Sequence, residues 1–292
     1  MKPGLYPEIT HDAYLADPCD SPSLSSSCAH AIVSQSPLHA WHGHPKLGNG
    51  ERGESTSEMD FGTLMHALVL GGGGPNIVSV EADDWRTKAA KEARDAARAA
   101  GKLPVLARKL EPALKLADTL RGRLAAKGIK FEGQSEVTAV WRKDGVLCRA
   151  RFDHMLTVRP VIYDLKFLNC ADPVAFGATA ARSGYDIQRA AYVEAYETLL
   201  PAAAGRVEFI FIVVESSPPW PFSLIQADGS MRELGERRWK RGREVWARCL
   251  ESGTWPSYSN DVVSVGVPEW ALSQDMAAQM QGLSGGSAGV TF

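Results

Sequence analysis

The chain has 292 residues, 45% of them hydrophobic and 23% charged, which suits a folded protein with a sizeable core and excludes a disordered or fibrous one. A formal net charge of −2 excludes nucleic-acid binding through overall basicity, though not through a local basic channel. Five cysteines, odd in number, far apart and without a CxxC pair, argue against a disulfide framework and against a zinc site.

The opening Met-Lys-Pro-Gly-Leu-Tyr-Pro-Glu lacks the apolar stretch of a signal peptide. No apolar run approaches the roughly 20 residues that a membrane helix needs. A cytosolic protein is expected, with no membrane partner. Ser23, followed by Leu24 and the run from Ser25 to Gln35, reads as a capped short helix. The polar, Gly-rich stretch from Leu47 to Glu58 reads as a mobile loop. Asp60 to Leu70 is apolar enough for a buried helix, stopped by the glycines from Gly71 to Gly74. Asp83 to Ala100, rich in Ala with interleaved bases and acids, predicts a helix; Val105 to Lys127 predicts another, closed by Gly128.

The pattern changes at Ser135. Glu136 to Arg142 and Val146 to Leu156 alternate like strands, joined by a Lys143-Asp144-Gly145 hairpin turn. Val161 to Phe167 reads as a third strand, Asp172 to Leu200 as one long helix, Val207 to Val214 as a buried strand, and Met231 to Glu251 as a last helix. After Trp270 the Gly- and Ser-rich tail predicts disorder. The fold expected is α/β, a mixed central sheet flanked by helices with an N-terminal helical extension. One domain is expected over residues 1–270, mainly helical to 130 and carrying the sheet over 131–255, followed by a tail over 271–292.

Residues two apart on a strand share a face, so Asp164 and Lys166 point the same way. If the second and third strands pair, Asp153 comes beside them, and Glu136 on the first strand can join. Carboxylates of this kind hold one or two Mg²⁺ ions for phosphodiester hydrolysis, with Mn²⁺ as a substitute, and a lysine orients the attacking water or neutralises developing charge. An isolated DxK is common in any sequence. Here its strand is otherwise apolar (Val161, Ile162, Leu165, Phe167), and two charges on one face of such a strand are costly unless used. Arg149 and Arg151 share the Asp153 face and read equally as a solvated edge or a phosphate clamp. His39, His42 and His44 lie in a loop-like segment with nothing to complete a zinc site.

The chain resembles the RecE-type exonucleases (exodeoxyribonuclease VIII) of phages and prophages, within the PD-(D/E)xK superfamily. The likeness runs from about Gly4 to Trp270. It rests on Gly4-Leu5-Tyr6 with Ile9, Tyr14 and Ser23-Leu24-Ser25, and on Phe61-Gly62-Thr63-Leu64-Met65-His66. It continues through Glu136 and Trp141, the stretch from Gly145 to Asp153, Asp164-Leu165-Lys166, and Tyr185-Asp186-Ile187-Gln188 with Tyr192. Phe152 and Phe167 depart from the Pro before the Asp and the Thr after the Lys that the family usually carries.

The resemblance implies His66, Asp153 and Asp164 as metal ligands with Glu136 nearby, and Lys166 and Gln188 positioning the water with Tyr192 in support. Arg86 and Lys88 match a family segment and are expected DNA contacts. The activity implied is a 5′-to-3′ exonuclease on linear duplex DNA, leaving 3′ tails for a RecT-like annealing protein. It also implies a phage- or prophage-encoded protein in the bacterial cytoplasm and a ring-shaped homo-oligomer, tetramer first and trimer second. A RecB-like or Cas4-like nuclease is the alternative, as is a DNA-binding phage protein that has lost the chemistry. Many of the former carry a four-cysteine iron–sulfur site, whereas only Cys170 and Cys249 follow Lys166 here.

Overall fold

The computed structural model describes residues 1–48, 57–71 and 77–284, without the side chains of 57–60 and 281–284. In chain order the elements are β1 (Gly4–Tyr6), α1 (His11–Leu15), α2 (Ser26–Ser34), α3 (Pro37–Gly43), α4 (Ser57–Leu70), β2 (Ile77–Val80), α5 (Lys88–Ala99), β3 (Leu103–Leu106) and α6 (Ala107–Ala125). There follow β4 (Gln134–Lys143), β5 (Val146–Leu156), β6 (Val161–Leu168), α7 (Pro173–Ser183), α8 (Tyr185–Leu199), β7 (Glu208–Glu215), β8 (Phe222–Ile225), α9 (Gly229–Ser252) and α10 (Glu269–Ser284). Six strands form one sheet in the order β1-β4-β5-β6-β7-β8, and β2 pairs with β3 in a small parallel sheet. Within the large sheet only β6 and β7 run parallel, joined by a crossover through α7 and α8. The α/β class and the mixed sheet flanked by helices are as the sequence predicts.

The β4–β5 hairpin turns through Asp144 and Gly145, both at positive φ (49° and 81°), the geometry of a type I′ turn. One sheet face packs under α2, α8 and α9 through Trp141, Phe152, Ile187, Phe211, Trp239 and Trp246. The other packs under α4 and α6 through Met65, Val69, Leu116, Leu120, Tyr163 and Ile212. On α6 the buried positions Ala113, Leu116, Ala117, Leu120 and Leu124 recur at three and four residues, the stripe that seats a helix on a sheet. Helix α8 is anchored by Glu194, whose Oε1 accepts from both Trp141 Nε1 and Trp239 Nε1 at 3.0 Å while Arg243 donates to Oε2 at 2.8 Å.

Several expected elements differ. The long helix over Asp172 to Leu200 is two helices, because Gly184 at φ 74° ends α7 and starts α8. A Cβ at Gly184 would come within 2.6 Å of the His30 ring, so glycine serves both the conformation and the close approach. Helix α2 is capped by Ser25, whose hydroxyl accepts from Cys28 N, and not by Ser23. The histidine segment taken for a loop is helix α3, capped by Ser36 with Pro37 in its first turn. Thr87 starts α5 at Lys88, later than Asp83. Most of the loop expected over Leu47 to Glu58 lies outside the described residues.

The chain forms two units, Met1–Pro256 and Ser257–Phe292. Disorder is expected after Trp270, but helix α10 runs over Glu269–Ser284, and the remaining tail lies outside the described residues. Among the described residues, no helix is long and apolar enough to cross a membrane.

The N-terminal segment is tied to β5 by a buried charge network. Asp17 accepts Ser23 N–H and Oγ–H at 2.8 Å each, and its Oδ2 lies 3.1 Å from Arg149 Nη1 and 3.2 Å from His44 Nε2. Burial alone would raise the Asp17 carboxyl, but His44, Arg149 and Ser23 bind its ionised form and hold it well below the usual carboxylate range.

Candidate active site

The site lies where β5 and β6 part. Their pairing covers Leu156 with Val161, Met155 with Ile162 and His154 with Tyr163, and goes no further. At the next position the Asp153 side chain replaces the strand, its Oδ2 accepting the Leu165 N–H at 2.8 Å. Asp164 and Lys166 continue opposite Phe211 and Val213 of β7. A wedge opens with one carboxylate on each bank.

Strand alternation also breaks here. Val137 and its partner Phe152 face the α8 side of the sheet. Ser135, paired with His154, turns the other way, its hydroxyl donating to Leu70 O of α4 at 3.0 Å. In a regular strand residues two apart share a face, so the reversal falls on Glu136, whose φ is 59°. Left-handed backbone is costly for a non-glycine residue and concentrates at functional sites.

Helix α4 lays His66 over the wedge. Its Nδ1 is 3.5 Å from Asp153 Oδ2 and 4.0 Å from Glu136 Oε1. One ligand atom each from His66, Glu136 and Asp153 lie within 4.8 Å of one another, the one such group among the described residues. Glu136 Oε2 accepts from Arg151 Nε at 2.8 Å. On the opposite bank Lys166 Nζ is paired with Asp164, and lies 4.9 Å from the centre of the Tyr185 ring. Gln188 of α8 donates from Nε2 to Asp164 Oδ2 at 2.7 Å. Tyr192, one turn on, is buried edge-on against Phe152.

Burial first, and then neighbouring charge, sets the electrostatics. Asp164, fully buried, is pushed up to about 6 by desolvation, with Asp153 adding to the rise and Lys166 opposing it. Burial raises Asp153, and it raises Glu136 with Asp153 contributing. Burial lowers His66 and so favours neutral imidazole, the form that binds metals. Lys166 feels burial as a lowering influence, but the Asp164 and Asp153 carboxylates outweigh it and raise it. Three carboxylates that repel one another in a desolvated wedge are an arrangement that a divalent cation relieves. Two carboxylates and one imidazole, hard oxygens with a borderline nitrogen, are donors that can hold a divalent cation.

The structure thus gathers His66, Glu136, Asp153, Asp164, Lys166, Gln188 and Tyr192. Glu136 stands nearer the imidazole than the sequence suggests, while Asp164 is engaged by Lys166 and Gln188. Arg149 is not at the wedge. It is buried at 3% exposure and its Nη1 is taken by Asp17 and Ser23, because strand alternation turns it onto the N-terminal segment. Arg86 and Lys88 stand apart with side chains 91% and 90% exposed, paired with Asp84 and Glu92.

His39 bonds Ser36 and His44 bonds Asp17, so these histidines do not converge on a metal. Missing from the expected set are His11 and Tyr14, which line a 230 Å³ cleft with Thr63, His66, Glu136, Asp153 and Tyr192. Their spacing of three on a short helix was the available signal.

Residues 34–265 match the family model of a PDDEXK-like domain of unknown function (DUF3799). No curated protein matches the sequence. A solved structure from Eubacterium rectale, described as a "putative exonuclease", is similar in fold with a TM-score of 0.58 at 13% identity. The alignment covers 91% of this chain and 98% of that one. Since the family model spans most of the chain and the wedge carries the carboxylates and lysine that give the fold its name, the chain belongs to this PDDEXK-like family, within the PD-(D/E)xK nuclease superfamily.

Proposed function

We propose that the protein is a metal-dependent exodeoxyribonuclease that degrades one strand of linear duplex DNA. The observation that carries the reading is the wedge itself. His66, Glu136 and Asp153 are within ligand distance of one another, and the buried Asp164–Lys166 pair lies across the gap. A bound divalent cation supplies Lewis-acid polarisation of the phosphate. The chain's own residues do the rest. The Lys166 ammonium, held between Asp164 and the Tyr185 ring, orients the attacking water and offsets charge developing on the phosphate. Gln188 fixes Asp164 from the far side. His11 and Tyr14 line the same cleft.

The RecE-type resemblance supports 5′-to-3′ polarity, 3′-tailed products, a RecT-like annealing partner and a ring-shaped homo-oligomer, tetramer first. With a net charge of −2, a ring concentrates the available Lys and Arg along an inner channel that bulk attraction cannot provide.

The test is digestion of linear and covalently closed duplex DNA side by side. Linear DNA is expected to be degraded in Mg²⁺ or Mn²⁺, poorly in Ca²⁺ and not in EDTA, while closed circles are spared. Full activity in EDTA, or none on linear DNA with either metal, overturns the reading. Gln188→Ala is expected to slow hydrolysis by about 10- to 100-fold, the usual loss when a partner of a metal-site residue is removed. Single-turnover rates measure it. Many RecB-like or Cas4-like nucleases carry an iron–sulfur cluster, whereas elemental analysis of this purified protein is expected to show no iron.

A further inference from the structure

Arg151, which reads from sequence equally as a solvated edge or a phosphate clamp, commits its Nε and Nη1 donors within the protein. Its Nε donates to Glu136 Oε2 at 2.8 Å, and its Nη1 donates to Ile9 O at 2.7 Å and Thr138 Oγ1 at 3.0 Å. The side chain is only 8% exposed. Its chief partner, Glu136, holds the left-handed backbone that turns the strand over. The Glu136 oxygen that Arg151 leaves free, Oε1, is the one facing His66 at 4.0 Å.

We propose that Arg151 is a positioning residue for the metal cluster. It binds one oxygen of Glu136 so that the other stays aimed at the ion, and through Ile9 it makes this geometry depend on the segment between β1 and α1. The inference rests on the metal-dependent reading above and adds to it which residue builds the third ligand.

The sign of one measurement separates this role from a plain charge effect. A guanidinium beside a cation site repels the cation, so if charge were all that mattered, removing it would tighten metal binding. If Arg151 positions Glu136, removing it frees a carboxylate from a costly conformation, and binding weakens.

The experiment is titration of the full-length protein with Mn²⁺ alone, without DNA, followed by the electron paramagnetic resonance signal of the free ion. Arg151→Gln is expected to weaken Mn²⁺ binding by about 10- to 100-fold, as for other outer partners of metal ligands. In a Glu136→Gln background the same substitution is expected to add almost nothing. Unchanged or tighter binding in Arg151→Gln, or a full additional loss in the Glu136→Gln background, overturns the inference while leaving the nuclease reading standing. Wild-type protein that binds no Mn²⁺ overturns both. If Arg151→Gln fails to fold, Thr138→Val decides. It removes one anchor and keeps the charge, and it is expected to weaken binding by a smaller amount; unchanged or tighter binding there also overturns the inference.

Discussion

Asp164→Asn lowers the rate of DNA hydrolysis by about 10³-fold, the upper end of what one preorganised electrostatic group contributes, while the folded state is as stable as wild type or more so. The two halves of this expectation have one cause. Asp164 is fully buried, and burial pushes its carboxyl up to about 6, so its charge is carried at a cost to folding. A group whose folded pKa is raised above its unfolded one gives up stability as pH rises through that interval, and the neutral amide removes the penalty. The amide keeps a carbonyl oxygen for Gln188 but cannot pair with Lys166 as an ion.

Lys166→Ala is expected to be equally inactive but less stable, since it strips the compensating charge from Asp164 and Asp153. Single-turnover digestion of linear duplex DNA, run beside thermal unfolding, reads both effects. An Asp164→Asn protein that cuts at near-wild-type rate places the chemistry elsewhere.

Asp17→Ala is expected to destabilise the body by about 3–5 kcal/mol, the loss typical when one partner of a buried ion pair is removed. Arg149 is 3% exposed and would keep its charge among Ser23 and His44 with no carboxylate. Against a total stability of about 5–15 kcal/mol this is a large fraction, visible as a lower urea midpoint at unchanged slope. The acid limb follows from the depressed Asp17 pKa. Its contribution is complete above the unfolded carboxylate value of about 4 and is lost as pH falls through the folded value. Wild type therefore loses stability below about pH 4 by a component that Asp17→Asn lacks. An Asp17→Ala midpoint within error of wild type would sink this account of the network.

How far each feature could be read from the sequence depended on its range. The β4–β5 hairpin and the strand bearing Asp164 and Lys166 were legible because period-two alternation and an Asp-Gly turn are local signals. Gly184 was visible as a residue, but its role was not. A lone glycine inside a helical pattern is tolerated, and the His30 ring that bars a side chain at this position comes from 154 residues away. The strands β1, β2, β3 and β8 have three or four residues each, too few for a period to show.

At the site, His66, Asp153 and Lys166 followed from motif order. The fate of Arg149 and Arg151 did not, although both were correctly placed on one strand face. That face is covered by the N-terminal segment, and nothing between Ser23 and Arg149 in sequence announces that they touch.

The wedge draws His66 from the layer on one side of the sheet and Gln188 from the layer on the other, with Glu136 and Asp153 on the strands between. A chain emerging from the ribosome has every residue of the His66, Glu136 and Asp153 trio long before α8 exists to cover the sheet. Until the second layer closes, Asp164 lacks Gln188 and the sheet lacks half its packing. The order of the elements thus places the trio in the chain before the layer that completes the surroundings of Asp164.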